Sequence, residues 1–328
     1  MVTRVNAQLE WRDVLGAVKV RLNIGRMAYA VEPGLYAVGN PEETSPVLVS
    51  ANYKLSFDYL RRELGGLDVW ILVLDTKGVN VWCAAGKGTF GTDELVSRIK
   101  AVGLEKIVSH RKVILPQLSA PGIAAHEVKK QSGFQVVYGP VRACDIKAFI
   151  HAGMEATPEM RMVRFDFADR LAVVPVEIVE WAPHVFLLGL AMLGLSGITG
   201  VSYDLSLIWT RGFNVFMIVL GAFLGGSILV PALLPWLPGK AFSIKSLCVG
   251  LVLWGILVSV LNLALDVWAM LPVILSITSF MAMNFTGCTT FTSQSGVKRE
   301  MRYAIPVQIL LLITGMILWV IAGIGGSL

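Results

Sequence analysis

Charge nearly vanishes from this chain after residue 181. Only 16% of its 328 residues are charged and 55% are hydrophobic, a balance too apolar for a wholly soluble protein. Cysteine is also scarce. The four, Cys83, Cys144, Cys248 and Cys288, form no CxxC pair. That spacing excludes an iron–sulfur cluster or structural zinc site of the usual kind and argues against a disulfide framework. The N-terminus, with Arg4, Glu10, Arg12 and Asp13, has no apolar stretch that would serve as a signal peptide, so the polar half is expected in the cytoplasm. The net charge of +5 is scattered, without the basic stripe and interleaved aromatics of a nucleic-acid binder. Gly86-Lys87-Gly88-Thr89 is not a triphosphate loop. Such a loop requires glycine where Val81 stands and Ser or Thr where Gly88 stands.

What is present falls into two halves, residues 1–175 and 176–328. Residues 1–45 read as a lead-in of short strands with a Pro/Gly-rich loop, and regular alternation follows. Val47-Leu48-Val49 is a strand. A helix capped by Ser56 carries Phe57, Leu60 and Leu64 on one face and closes at Gly65-Gly66. Val69–Leu74 has strand length. Thr92 suits an N-cap, with Asp93 and Glu94 in the first turn and Leu95, Val96, Ile99 and Val102 at helical spacing. Val113-Ile114-Leu115 is a strand, Pro121 opens a helix running to about Gln131, Phe134–Tyr138 is a strand, and Asp145 starts a short helix. Strands and helices alternating with short connections predict an α/β, Rossmann-like, mostly parallel sheet. Ligands of such sheets sit at the carboxyl ends of the strands, here the loops 50–53, 76–92, 116–122 and 139–142.

The second half predicts an all-α domain of five transmembrane helices, at about 185–201, 213–234, 247–265, 267–285 and 304–324. Each is near the ~20 residues that span a bilayer. With the N-terminal half in the cytoplasm, the inside loops hold Lys240, Lys245, Lys298, Arg299 and Arg302 and the outside loops only Arg211, as the positive-inside rule expects of a multi-pass protein of the cytoplasmic membrane. The C-terminus then lies outside. Trp181, Trp209, Trp236, Trp268 and Trp319 fall near segment ends, where interfacial aromatics sit. Asp266 lies at a segment boundary and reads as interfacial. The hydroxyl-rich run from Asn284 to Ser293, which contains Cys288, reads as a solvated loop or as a surface meeting a partner. The spans lack the paired half-helices broken by Gly or Pro, and the midplane charges, that a transporter would show.

One segment carries chemistry. In Asn80-Val81-Trp82-Cys83-Ala84-Ala85-Gly86-Lys87 a single cysteine follows a strand, between a tryptophan and a run of small residues. The small residues would let a broad, flat ligand lie against the turn, or would let the turn pack closely on the sheet. A thiolate suits a soft metal centre. Cys144, at the start of a helix, is expected to pack or point away, and His126 to lie on a solvated helix face.

The octet and its continuation Gly88-Thr89-Phe90-Gly91-Thr92 resemble the cap segment of the mercury-methylating corrinoid proteins. The polar half is also similar to the corrinoid-binding domain of the large subunit of the corrinoid iron–sulfur proteins. This second likeness rests on Ser50-Ala51-Asn52-Tyr53-Lys54, Leu74-Asp75-Thr76-Lys77-Gly78, Leu115-Pro116-Gln117-Leu118, Ala120-Pro121-Gly122 and Tyr138-Gly139-Pro140-Val141-Arg142-Ala143. The resemblance implies a corrinoid (cobalamin) cofactor with Cys83 as the lower axial ligand of cobalt. It implies cofactor contacts from Asn52, Asn80, Val81, Trp82, Ala84, Ala85, Gly86, Lys87, Thr89, Gln117, Leu118, Ala120, Gly122, Gly139 and Arg142. None of the four histidines lies in the Asp-x-His-x-x-Gly motif through which many corrinoid enzymes supply that ligand. The implied activity is a corrinoid-dependent methyltransferase. A one-carbon donor, protein or folate, methylates Co(I), and the methyl group passes as a carbanion equivalent to thiol-bound Hg(II). A small ferredoxin with two [4Fe-4S] clusters restores Co(I). The alternative is a membrane-anchored carrier that passes methyl to a metabolic acceptor.

Overall fold

The computed structural model describes residues 2–200, 202–261, 264–285 and 294–325. The chain forms two compact units, Met1–Arg164 and Phe165–Leu328.

The first unit is built on a six-stranded sheet: β1 Thr3–Val5, β2 Gly34–Val38, β3 Val47–Ala51, β4 Val69–Leu74, β5 Lys112–Leu115 and β6 Gln135–Tyr138, in the order β1-β2-β4-β3-β5-β6. β4, β3, β5 and β6 run parallel, with Val49 opposite Leu72, Leu48 opposite Ile114 and Leu115 opposite Tyr138. β2 is antiparallel to β4 and parallel to β1. The period-2 alternation of apolar residues divides the sheet between two cores. Val47, Val49, Leu72 and Leu74 face one side, under α4 (Thr92–Ala101), α5 (Leu104–Ile107) and α6 (Ala125–Ser132). Leu48, Ile71 and Val73 face the other, under α2 (Lys54–Arg62) and α7 (Ile146–His151). The result is a mixed sheet with helices on both faces.

Several local expectations are corrected. The lead-in contains a helix, α1 (Trp11–Arg21), that was read as strands and loop. α2 begins at Lys54 and not after Ser56, because the Lys54 amide donates to the Tyr29 carbonyl at 3.0 Å and needs no side-chain cap. Gly91, not Thr92, occupies the cap of α4. The Thr92 hydroxyl instead accepts from the Ala124 amide at 2.9 Å. Pro121 lies in a separate 3-10 turn, Gln117–Gly122, and α6 starts only at Ala125, because Ile123 is extended and buried between them. The octet is a short helix, α3 (Val81–Lys87), and not a turn. Asp145 ends a 3-10 turn that leads into α7.

The second unit comprises α8 (Phe167–Leu171), α9 (Val174–Leu195), α10 (Phe213–Leu224), α11 (Val230–Leu233), α12 (Phe242–Leu261), α13 (Ala264–Asn284) and α14 (Gln294–Gly325). Among the described residues four helical stretches are long and apolar enough to cross a membrane, Phe167–Leu195, Ile208–Leu233, Phe242–Val260 and Gly296–Ile324, with a shorter apolar helix at Trp268–Asn284. The first starts well before residue 185. Residues 165–175 belong to this unit: Phe165, Leu171, Val173 and Val174 pack with Val230, Leu234 and Phe242. Arg170 donates to the Ala232 and Phe165 carbonyls.

Two residues expected at the interface, Asp266 and Trp319, are engaged within the unit. Arg211 forms a forked ion pair with Asp266, with nitrogen–oxygen distances of 2.8–3.0 Å. Its guanidinium lies 4.2 Å from the Trp319 ring centroid and bonds the Trp319 carbonyl. Asp266 is therefore a partnered group that ties the starts of α10 and α13 to the end of α14, and Trp319 is fully buried. The run 286–293, with Cys288, lies outside the described residues.

Candidate functional site

The carboxyl ends of β3, β4, β5 and β6 lie along one edge of the sheet. The chain leaves β3 toward β4 and returns to β5 on the other side of β3, so β3 and β5 flank a topological switch point. Over this point α3, which follows β4, packs against the turn Gln117–Gly122, which follows β5. Gly122 makes the approach close. A Cβ there would run into the Phe90 carbonyl and stand 3.1 Å from the Ala85 Cα.

The residues leading into α3 are latched from below. Asn52, at the end of β3 and buried, accepts through Oδ1 from the Thr76 amide at 3.1 Å, the Thr76 hydroxyl at 2.8 Å and the Gly78 amide at 2.9 Å. Thr76 Oγ1 also lies 2.6 Å from the Val79 carbonyl, and Asp75 receives the Lys77 amide while its own amide donates to Glu94. Lys77 and Gly78 take left-handed φ angles of 56° and 69° to make the turn. Asn80 then caps α3. Its Oδ1 accepts the Cys83 amide at 3.0 Å, and Gly88 ends the helix at φ 82°.

This short helix has two unlike faces. Ala84 and Ala85 are buried in the core beneath it. Trp82, Cys83, Gly86 and Lys87 are exposed, with the indole 41% accessible. At helical spacing Gly86 and Lys87 both lie one turn beyond Cys83, so glycine leaves one side of the sulfur open while the lysine stem flanks the other. The alanines thus take the close-packing role weighed for them in the sequence, and the open ground belongs to Cys83 and Gly86. Gly139 is also scaffold: it is buried, and its amide donates to the Leu115 carbonyl at 2.8 Å. Asn80, Val81, Thr89, Gln117, Leu118, Ala120, Gly122 and Arg142 are partly exposed along the edge. Gln117 accepts from Arg161 at 2.9 Å.

Sequence reasoning missed Thr76 and Glu94, which hold the loop. The turn signal Asp75-Thr76-Lys77-Gly78 was the clue to the first; nothing local marks the second. Cys144 does not pack: it is exposed, with its sulfur 3.9 Å from an Asp145 carboxylate oxygen. His126 is exposed on α6, and His110 is engaged by the Ser45 carbonyl and the Lys112 amide. Among the described residues no three His, Cys, Asp or Glu side chains come together as a metal site.

The N-terminal unit is similar to acetyl-CoA decarbonylase/synthase gamma subunits. The subunit of Archaeoglobus fulgidus is 30% identical over 142 residues, which are 42% of this chain and 30% of that protein. The subunit of Methanocaldococcus jannaschii is 33% identical over 127 residues, 38% and 26% of the two chains. That of Methanopyrus kandleri is 32% identical over 122 residues. A family model described as the CO dehydrogenase/acetyl-CoA synthase delta subunit matches residues 5–150. The chain spans less than a third of the length of these relatives. The family match covers the latch, the octet helix and the loops after β5 and β6, and stops short of the helical unit. The relatives are subunits of a multi-protein complex, as their names state.

Proposed function

We propose that this chain is a membrane-anchored corrinoid protein that transfers a methyl group to Hg(II), with Cys83 as the cobalt ligand. The observation that carries the reading is the placement of one exposed sulfur, with Gly86 beside it, on a short helix at the carboxyl edge of an α/β sheet, over the switch point. The donor set fits the group. Cys83 would offer a single soft thiolate ligand, and a corrinoid would need no more than one ligand from the protein. When bound, the corrinoid supplies a cobalt centre able to accept and release a methyl group. Asn80, by taking the Cys83 amide, fixes the first turn and so the direction of the thiol. Asn52 and Thr76 hold that turn against the sheet. Trp82 and Leu118 offer apolar surface, and Gly86 and Ala120 leave room for a broad ring. Lys87, Thr89, Gln117 and Arg142 are the polar groups within reach of amide or phosphate substituents.

The remaining assignments belong to this proposal. The helical unit crosses the cytoplasmic membrane five times, counting α13, with the α/β unit inside and the C-terminus outside. Hg(II) arrives as a thiol complex, a one-carbon donor protein or folate supplies methyl, and a small ferredoxin with two [4Fe-4S] clusters is the reductant. A second reading, a methyl carrier for a metabolic one-carbon acceptor, is favoured by the similarity to acetyl-CoA decarbonylase/synthase subunits.

Two measurements test the proposal. Purified full-length protein reconstituted with cobalamin is expected to show a spectrum with the benzimidazole off cobalt, and Cys83→Ala to change it. A base-on spectrum identical in both proteins ends the ligand assignment. Methylmercury formation by the methylated protein with a thiol complex of Hg(II) separates the two acceptors. Methyl retained on the protein under those conditions favours the metabolic carrier.

A further inference from the structure

α1 carries an apolar stripe that faces away from the protein. Trp11, Val14, Leu15, Val18 and Leu22 follow the i, i+3, i+4, i+7, i+11 spacing, and all five are between 36% and 69% exposed. The exposed surface continues through Ile24 and Met27 in the following turn. An amphipathic helix of a soluble domain normally turns such a stripe inward, and a contiguous exposed apolar patch of this size marks an interaction surface. The inward side of α1 is occupied by other groups. Val20 is buried, Gly16 lies against the Tyr29 ring, and Asp13 is held by Lys54 and Arg61. The helix is thus fixed with its apolar side out.

Its charges say what covers it. With 3.6 residues per turn, the stripe spans about 100° of the helix, Arg12 and Lys19 lie about 80–100° to one side of its centre and Arg21 about 80° to the other. Arg26 follows in the next turn. Against these stand Glu10, which caps the helix, and Asp13, which is neutralised by its two cationic partners. An apolar stripe with basic residues along both edges is the pattern of a helix lying in a membrane interface. Aliphatic and indole side chains enter the acyl boundary, and lysine and arginine meet anionic headgroups. The same chain carries four helices able to cross a bilayer, so a membrane surface is always at hand.

We propose that α1 docks the α/β unit on the anionic face of the bilayer, with Trp11, Leu15 and Val18 inserted and Arg12, Lys19 and Arg21 on the headgroups. The full-length chain is tested with its four cysteines replaced by alanine or serine, Val18→Cys labelled with a fluorophore, and His126→Cys, on the exposed side of α6, as control. It is reconstituted in phosphatidylcholine vesicles with or without about 30% phosphatidylglycerol. Lipids brominated on the acyl chain are expected to quench the label at position 18 at least about threefold more than at 126, with the excess falling by about half without phosphatidylglycerol. Replacing Arg12 and Lys19 by Gln is expected to remove that dependence on phosphatidylglycerol. Equal quenching at both positions overturns the proposal. A label at position 18 that is shielded from aqueous iodide yet untouched by brominated lipid also overturns it, and assigns the stripe to a protein partner.

Discussion

The edge of the sheet and the interior of the helical unit both place polar groups among apolar ones, but to opposite ends. In the helical unit two sets of them close across helices. Arg211 pairs with Asp266, and Gln308 donates to Ser279 while the Ser276 hydroxyl donates to the Gln308 carbonyl. At the sheet edge, Asn52, Thr76 and Asn80 close on the backbone of one loop and leave a thiol beside them unengaged on the surface. Polar groups that satisfy each other hold helices together. Polar groups that close on a loop's backbone fix the position of what stands on that loop.

The largest expected effect breaks this comparison at the thiol. Cys83→Ala should reduce methylmercury formation to background in cells lacking the native protein, with membrane levels matched by blot, while Cys144→Ala keeps most of it. Cys144 is equally open to solvent, so the pair separates ligand position from mere exposure. Parent activity in Cys83→Ala would remove the thiol from the mechanism.

The next effect falls on the helical unit. Arg211→Met leaves Asp266 partly buried beside an apolar side chain, a change that costs about 3–5 kcal/mol where a buried ion pair loses one member. Thermal unfolding in detergent should show a large drop in Tm, and Arg211→Met with Asp266→Leu should recover most of it. An unchanged Tm in the single variant would make the pair incidental.

Asn52→Ala sharpens the comparison at the latch. It strips the acceptor from the Thr76 and Gly78 amides, while the Thr76 hydroxyl keeps the Val79 carbonyl, a loss of about 1–3 kcal/mol for each amide left buried and unsatisfied. Cobalamin affinity should fall with the thiol still titratable by a mercurial probe. Wild-type affinity would show that the latch does not set the ring site.

The smallest effect concerns the anchoring of α1. Burial pushes the Asp13 carboxyl up, but hydrogen bonds from Lys54, the Glu10 backbone and Arg61 outweigh it and bring its pKa to about 2, from an ordinary 3.8. The folded value lies below the unfolded one. The pair therefore contributes fully above about pH 4 and loses its contribution as pH falls toward 2, on the order of 1–2 kcal/mol in all. Hydrogen exchange of residues 11–21 should rise over that window and become flat in Asp13→Asn. A pH response that survives the substitution would place the titrating group elsewhere.

Composition and periodicity determined much by themselves. The loss of charge after residue 181 marked the membrane-type half, because a bilayer span admits few charges. The alternation of short apolar runs with helical spacings marked the α/β half. The octet singled out Cys83 as the candidate, because one sulfur among small residues is legible in a single line of sequence, and the structure leaves that sulfur exposed. Tertiary contacts decided the rest. Whether Ala84 and Ala85 faced a ligand or the core depended on how α3 lay over β3 and on Gly122 arriving from another loop. The start of α2 depended on the Tyr29 carbonyl, and the role of Thr92 on the Ala124 amide. The pairing of Arg211 with Asp266 joins residues 55 apart in the chain. The helix α1 was missed in a lead-in that reads as strands and loop, and spacing would not have told that its apolar face points outward, since the same stripe serves a core or a surface. Local signals report what a segment can form. Which face is buried is set by the partner that reaches it first, and that partner comes from elsewhere in the chain.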